Sequence, residues 1–264
     1  MLPAELAAPL DELRARRPDL ALDVRWFLSV TSTMDVAAAL LLDGPARGVV
    51  VLADAQTAGR GRRGRTWASP PGSGVYLSLI LNPSARALAT SLLTLAAGVG
   101  VREGLHAAAG LDAELKWPND VVVGRRKVAG ILAEGAGIGT AGATVIVGVG
   151  INVRRSTWPP DVAARATSVE AEVGQPVSRG RIVAEVLAAV LDRVTGLERE
   201  AGDILQAWRV AAPSAVGTPV EWTTHKGIGR GLTAGVDETG ALLIDTDNGI
   251  ERVLSGEIRW PTVD

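Results

Sequence analysis

The chain has 264 residues, 27 Lys+Arg against 29 Asp+Glu for a net charge of -2, no cysteine and two histidines. That length suits one or two domains, 47% apolar and 21% charged content is that of a folded chain, and near-neutrality argues against a protein that coats nucleic acid. Without cysteine there are no thiol nucleophiles, disulfides, Cys-ligated zinc or iron–sulfur clusters, and His106 and His225, far apart in the chain, give little basis for a histidine metal site or Ser-His-Asp catalysis.

Residues 3–20 read as one or two helical turns ending near Pro18, and Val24–Leu28 as a strand. Charges at Glu5, Asp11, Glu12, Arg14, Arg16 and Arg17 leave no signal-peptide core. Ser29-Val30-Thr31-Ser32-Thr33 forms a hydroxyl-rich cap on a helix that Gly44-Pro45 stops. Gly48–Ala53 is a buried strand, 54–74 a long Gly/Arg/Pro loop, and Val75–Leu81 an alternating strand. Ala87–Ala109 is a long helix interrupted by Gly98, Gly100 and Gly104.

Ala113–Trp117 is a strand, turned by Pro118-Asn119-Asp120 into Val121–Val123, and Gly124-Arg125-Arg126 turns again into Lys127–Glu134. Thr144–Val153 is a further strand, read at a sheet edge where it could pair two subunits. The uncharged stretch from Gly135 to Val153 holds too many glycines for a spanning helix, so a soluble, cytoplasmic protein with no membrane contact is expected. A short helix at Thr167–Val173, a long amphipathic one at Ser178–Glu200 and a third at Asp203–Ala211 follow. After a break at 213–217 come four short strands, Thr218–Thr223, Ile228–Val236, Ala241–Asp245 and Ile250–Leu254, with Asp237–Gly240 and Asp247-Asn248-Gly249 as hairpin turns. The division expected is 1–214 and 215–264, the second part a small all-β module.

The segment Gly59-Arg60-Gly61-Arg62-Arg63-Gly64-Arg65 places four arginines and three glycines in seven residues, after a buried strand. Like charges about 4 Å apart repel by about 1 kcal/mol in water and about 4 at an effective dielectric near 20. An empty loop of this kind is therefore expected to be mobile until a polyanion arrives. Its glycines then let backbone N–H groups approach phosphate while arginines neutralise it. Gly59, Gly61 and Gly64 also match G-x-G-x-x-G, and Gly64-Arg65-Thr66 nearly matches a P-loop. Both need a helix immediately after, and Pro70-Pro71-Gly72 forbids one. An Arg/Gly RNA-binding segment lacks flanking low complexity.

Lys116-Trp117-Pro118-Asn119-Asp120 sits at a strand end, which would bring Lys116 and Asp120 near one cavity, and Lys127 opens the next strand. A lysine entering an apolar strand either snorkels at a rim or serves a site. Together with the arginine loop, these groups suit a nucleoside triphosphate and a carboxylate.

With Ser32-Thr33-Met34-Asp35, Gly59–Arg65 and Trp67, Lys116–Asp120, Lys127–Leu132 and Gly148-Val149-Gly150-Ile151-Asn152 in this order, the sequence resembles the biotin protein ligases over most of residues 29–153. The resemblance implies an α+β fold, a mixed, mainly antiparallel sheet packed on helices as in class II synthetases, with a C-terminal SH3-like β barrel. It implies condensation of biotin with ATP, assisted by Mg²⁺, to biotinyl-5′-AMP, then transfer to one lysine of a biotin carboxyl carrier domain of an acyl-CoA or pyruvate carboxylase. Ser32, Thr33, Gln56, Gly59 and the backbone at Arg60 and Gly130 would hold biotin, and Lys127 its carboxylate and the α-phosphate. Arg62, Arg63, Arg65, Trp67, Lys116, Asn119 and Asn152 would serve ATP and the adenylate, with Lys127, Arg62 and Asp120 catalytic and no protein-held metal. Carboxylate attack on a charged phosphate needs such cations, and Asp120 would take or orient the proton of the acceptor amine.

Simpler readings stand beside these: Asp120 as a turn cap, Ser32 and Thr33 as helix caps, Trp67 as core, Asn152 as a strand-end residue. Met34 stands where the family often has Asn. About 28 residues precede the Ser/Thr segment, so a short form without a DNA-binding domain or operator binding is expected, as a monomer or weak homodimer. The alternatives are a lipoate–protein ligase or transferase, and a nucleotide- or RNA-binding module.

Overall fold

Two apolar faces on the same strands organise this protein. The computed structural model describes residues 1–42, 48–82, 90–136, 144–155, 158, 160–224 and 227–261. Within them the chain runs α1 (Ala4–Arg16), β1 (Asp23–Val30), α2 (Thr33–Leu42), β2 (Val49–Gln56), β3 (Gly74–Leu81), α3 (Thr90–Ala109), β4 (Glu114–Lys116), β5 (Asp120–Val123), β6 (Arg126–Ala136) and β7 (Thr144–Asn152). It continues with α4 (Pro160–Ala163), α5 (Val169–Val173), α6 (Arg179–Arg199), α7 (Ala201–Ala211), β8 (Val216–Thr224), β9 (Gly227–Val236), β10 (Leu242–Thr246), β11 (Gly249–Val253) and β12 (Glu257–Arg259). The Gly44-Pro45 stop, residues 87–89 of the third expected helix, Gly137, Gly139, Gly142 and His225 lie outside the described residues.

The first seven strands form one sheet in the order β1-β2-β3-β7-β6-β5-β4. Only β1 and β2 are parallel among these neighbours; the rest are antiparallel. The expected mixed, mainly antiparallel sheet on helices is what is found. Val50, Leu52, Leu77 and Leu79 point into the large core with α3 and α6, whereas Val49, Val51, Ile80 and Ile146 pack with Met34 and Ala37 of α2. Both faces are thus covered, and β3 is buried at every position. The alternation read at Val75–Leu81 fails for that reason: a strand covered twice has no solvent side.

Helix α1 is also longer than expected. Its 13 residues include Pro9, and Leu6, Leu10 and Leu13 are buried on one stripe. Packing of that stripe outweighs the propensity loss at proline. Two of the glycines that seemed to interrupt α3 serve its contact with α6: a Cβ on Gly100 or Gly104 would lie 2.5 Å from the Cα of Val190 or Val186. Strand β7 is interior, between β3 and β6, so it offers no edge for subunit pairing; β1 and β4 are the sheet's edges.

The remaining strands form a second sheet, β11-β10-β9-β8-β12, in keeping with an SH3-like module although no closed barrel is found among the described residues. The hairpin turns fall where their Gly-containing sequences put them, and the three-residue β12 was not anticipated. The two sheets share one apolar core: Trp222, Val236, Leu242 and Ile244 belong to the same cluster as Leu95 and Leu115. Trp117 of the Lys-Trp-Pro-Asn-Asp turn donates its indole N–H to Gly240 O at 3.0 Å. No helix of the described residues is long and apolar enough to cross a membrane.

Candidate active site

Strand ends and helix starts meet over β6 and β7. There Ser32, Thr33, Gln56, Arg60, Arg62, Trp67, Asn119, Lys127 and Gly130 line one cleft with Met34, Gly150 and neighbouring apolar groups. The space outside the protein atoms there, part of it open solvent, is about 450 Å³.

The floor is made by two glycines. Gly130 and Gly150 face each other in register across β6 and β7, and the Trp67 indole lies on them. A Cβ on Gly150 would come within 2.5 Å of Trp67 Cε2, and one on Gly130 within 3.1 Å of Cζ3. The indole N–H is buried with no hydrogen-bond partner among the described residues.

Lys127 is aimed at this floor by its backbone. The register slips between Val121 and Val122, so that Lys127 pairs with Val122 and Ala129 with Val121. Such a bulge re-aims a side chain. On its other flank Lys127 N–H donates to Arg165 O at 2.7 Å, and Lys127 O accepts from Thr167 N–H at 2.9 Å. Asn152 Nδ2 donates to Thr167 O at 3.0 Å and reaches Lys127 O at 3.4 Å. Asn152 therefore braces the lysine's strand, and it does not line the cleft. The Lys127 ammonium sits 2.5 Å from Asp120 Oδ1 and 5.1 Å from the Trp67 ring centre.

The Gly/Arg segment is a hairpin. Trp67 N–H donates to Gly59 O at 2.8 Å and Gly61 N–H to Arg65 O at 2.7 Å, around a 3₁₀ turn at Arg62–Gly64. Its charges are divided. Arg60 is held by Asp35 at 2.9 Å and Glu134 at 2.8 Å. Arg63 donates to Thr223 O at 3.4 Å, and Arg65 pairs with Glu257, both partners in the second sheet. Arg62 turns instead toward the cleft, 3.5 Å from Asn119 Oδ1. Burial pulls its basicity below the usual arginine range, and the nearby Asp120 carboxylate opposes that pull. Asn119 fixes the strand beyond it, Nδ2 donating to Ile131 O at 2.8 Å.

Lys116 pairs in register with Asp120, yet its ammonium lies 4.2 Å over the Trp260 ring and does not line the cleft. Burial pushes it below the usual lysine range; Asp120 works against this and Lys127 with it. Gly59 is where the loop closes on the strand: a Cβ there would meet Trp67 O at 2.4 Å. Ser32 is a helix cap, accepting from Met34 N–H at 3.2 Å. Met34 sulfur lies against Gly148.

Sequence reasoning missed Asp35, Glu134 and Glu257 as arginine partners, Trp260 over Lys116, and the buried hydroxyls of Ser69 and Ser78. Ser78 had a visible signal, a serine between leucines in an apolar strand. Asp35, Glu134, Glu257 and Trp260 had none, because their partners are distant in sequence. No group of three or more His, Asp or Glu side chains able to hold a metal occurs among the described residues.

The profile of the biotin/lipoate A/B protein ligase family matches residues 26–152, and that of the biotin protein ligase C-terminal domain residues 216–259. The chain is 34% identical to the biotin–[acetyl-CoA-carboxylase] ligase of Paracoccus denitrificans, over 88% of this chain and 98% of that protein. It is 33% identical to the bifunctional ligase/repressor BirA of Bacillus spizizenii, over 87% of this chain and 71% of that one. The structure of biotin protein ligase from Aquifex aeolicus in complex with biotin and ATP superimposes with a TM-score of 0.78 at 32% identity, covering 90% of this chain and 97% of that one.

Proposed function

Because the chain belongs to the biotin protein ligase family, we propose that it activates biotin with ATP to biotinyl-5′-AMP and transfers the biotinyl group to a lysine of a biotin carboxyl carrier domain. The observation that carries this reading is the convergence of Lys127, Arg62 and Trp67 on a cleft whose inner end is lined by Ser32, Thr33 and Gln56. Cations stand at one end, and a compact polar pocket suited to the ureido ring at the other.

In the first step a biotin carboxylate oxygen attacks the α-phosphorus, the bond to the β-phosphate breaks, and pyrophosphate leaves with the electron pair. Lys127 bridges the two anions and Arg62 takes up charge on the phosphate. Gly59, Arg60 and Gly130 supply backbone walls for biotin, and Trp67 a flat face for the adenylate. In the second step the acceptor amine attacks the acyl carbon and AMP leaves. Lys127, once drawn to the substrate anion, releases Asp120 to receive or orient the amine proton. Arg63, Arg65, Lys116, Asn119 and Asn152 act by holding the hairpin, the turn and the lysine strand. Mg²⁺ would come with the triphosphate and keep several of its waters, as is usual for this ion at nucleotide sites.

The same proposal divides the chain at 214/215, places it in the cytoplasm, and gives it carrier domains of acyl-CoA or pyruvate carboxylases as partners, with a monomer or weak homodimer as the working unit. Mass spectrometry of a carrier domain after incubation with the enzyme, biotin and MgATP tests it. One biotinyl addition on a lysine is expected; pyrophosphate release with lipoate and none with biotin would replace biotin by lipoate as the substrate.

A further inference from the structure

Three buried hydroxyls and the half-buried amide of Gln56 join β3 to the Gly/Arg hairpin, and one backbone atom sets the direction of the whole chain. Thr33 N–H, which can only donate, lies 2.8 Å from the Gln56 side-chain amide. The amide therefore turns its oxygen to Thr33 and its NH₂ to Ser69 Oγ, 2.8 Å away. Thr33 Oγ1 is 3.2 Å from the same Gln56 oxygen. An oxygen acceptor faces it, so the threonine hydroxyl spends its one proton there. Ser78 Oγ, 2.8 Å from Thr33 Oγ1, must then be the donor. Ser69, having accepted from Gln56, donates to Trp67 O at 3.1 Å.

Thr33 Oγ1 thus has no proton left and one of its two lone pairs taken. Thr33 also lines the cleft, and Ser78, on a strand buried on both faces, is 0% exposed.

We infer that Ser78 is a positioning residue which, with Gln56, presents Thr33 to the cleft as a hydrogen-bond acceptor only, so that the site selects a carboxylic acid whose ring carries an N–H. The inference rests on the biotin reading and deepens it. A ureido ring offers such a donor; the dithiolane of lipoate does not. A site that accepts from a substrate N–H rejects an analogue lacking it, because the acceptor is left buried and unpaired.

The test is steady-state pyrophosphate release by the full chain with MgATP and either biotin or its two ureido N-methyl derivatives. Ser78→Ala is expected to raise the KM for biotin by about tenfold, by removing one of the two hydrogen bonds that hold the Thr33 hydroxyl in place and leaving a buried lone pair unmatched. The KM for ATP and kcat should hold within about twofold. A merely structural loss would move both KM values together. Wild type should prefer biotin over one N-methyl isomer by about tenfold or more, and Thr33→Val, close in shape, should erase that preference. An unchanged biotin KM in Ser78→Ala, or a preference that survives in Thr33→Val, overturns the inference while leaving the ligase reading intact. No release with biotin by the wild type would overturn both.

Discussion

Gly150→Ala is the sharpest perturbation of the cleft floor. The backbone there is not in the left-handed region, so a methyl group brings no torsional strain. It brings contact: the new Cβ would lie 2.5 Å from Trp67 Cε2 and 2.6 Å from Nε1. Both are atoms of a rigid ring, so the indole must lift or the strand must bend. Forced overpacking of this kind costs about 1–3 kcal/mol. Lifting about 80 Å² of indole off the floor gives a similar figure, about 2 kcal/mol at 25 cal/mol per Å². For a chain of this size that is a fall in melting temperature of about 4–8 °C.

Gly130→Ala is milder: its Cβ meets the flexible end of Lys127 at 2.8 Å and the Trp67 ring at 3.1 Å. The assay is a double-mutant cycle with Trp67→Ala, read by thermal melting and by the KM for ATP. In the Trp67→Ala background the Gly150→Ala penalty should shrink to about 0.5 kcal/mol or less. Strictly additive costs would refute the claim that the glycines exist to seat the indole.

Lys127→Ala should slow biotin-dependent pyrophosphate release by about 100-fold or more with the fold retained; a wild-type rate would remove this lysine from the chemistry. Glu257, held by Arg65, has its carboxyl pulled down to about 2, below the ordinary value near 4.3. A depressed carboxylate stabilises above its unfolded pKa and loses that contribution as pH falls toward the folded one. Since Arg65 is more than half exposed, screening leaves about 1 kcal/mol. Glu257→Gln should therefore lower urea stability at pH 7 by about that amount and flatten its decline between about pH 5 and 2; parallel profiles for variant and wild type would contradict this. Trypsin cleavage after Arg62 or Arg63 should slow when biotin and MgATP are added together, and equal cleavage with and without them would count against ordering of the hairpin by ligand.

Much of the architecture was legible because burial leaves a pattern. The apolar runs at 48–53 and 144–153 gave strands, and Asp-Asn-Gly and Asp-Glu-Thr-Gly gave turns. What failed did so where a third element intervenes. Helix α2 covers the second face of β3, which no single-strand pattern reveals. The cleft was legible as motifs, and nine of the named side chains and glycines do line it. The division of labour among the arginines was not, because it depends on Glu134, Thr223 and Glu257, which lie 74, 160 and 192 residues away from their partners. Four clustered guanidinium groups read as a mobile, self-repelling loop; folded, each finds oxygen.

The ion pairs that fasten the hairpin, Arg60 with Asp35 and Glu134 and Arg65 with Glu257, all lie at the surface, whereas Ser78, behind the cleft wall, has no exposed surface and its hydrogen bond to Thr33 is buried. Mobile ions reach the first set and not the second. Brine would therefore loosen the hairpin while the hydroxyl network beneath it keeps its shape, and turnover would fade with salinity well before the protein melts.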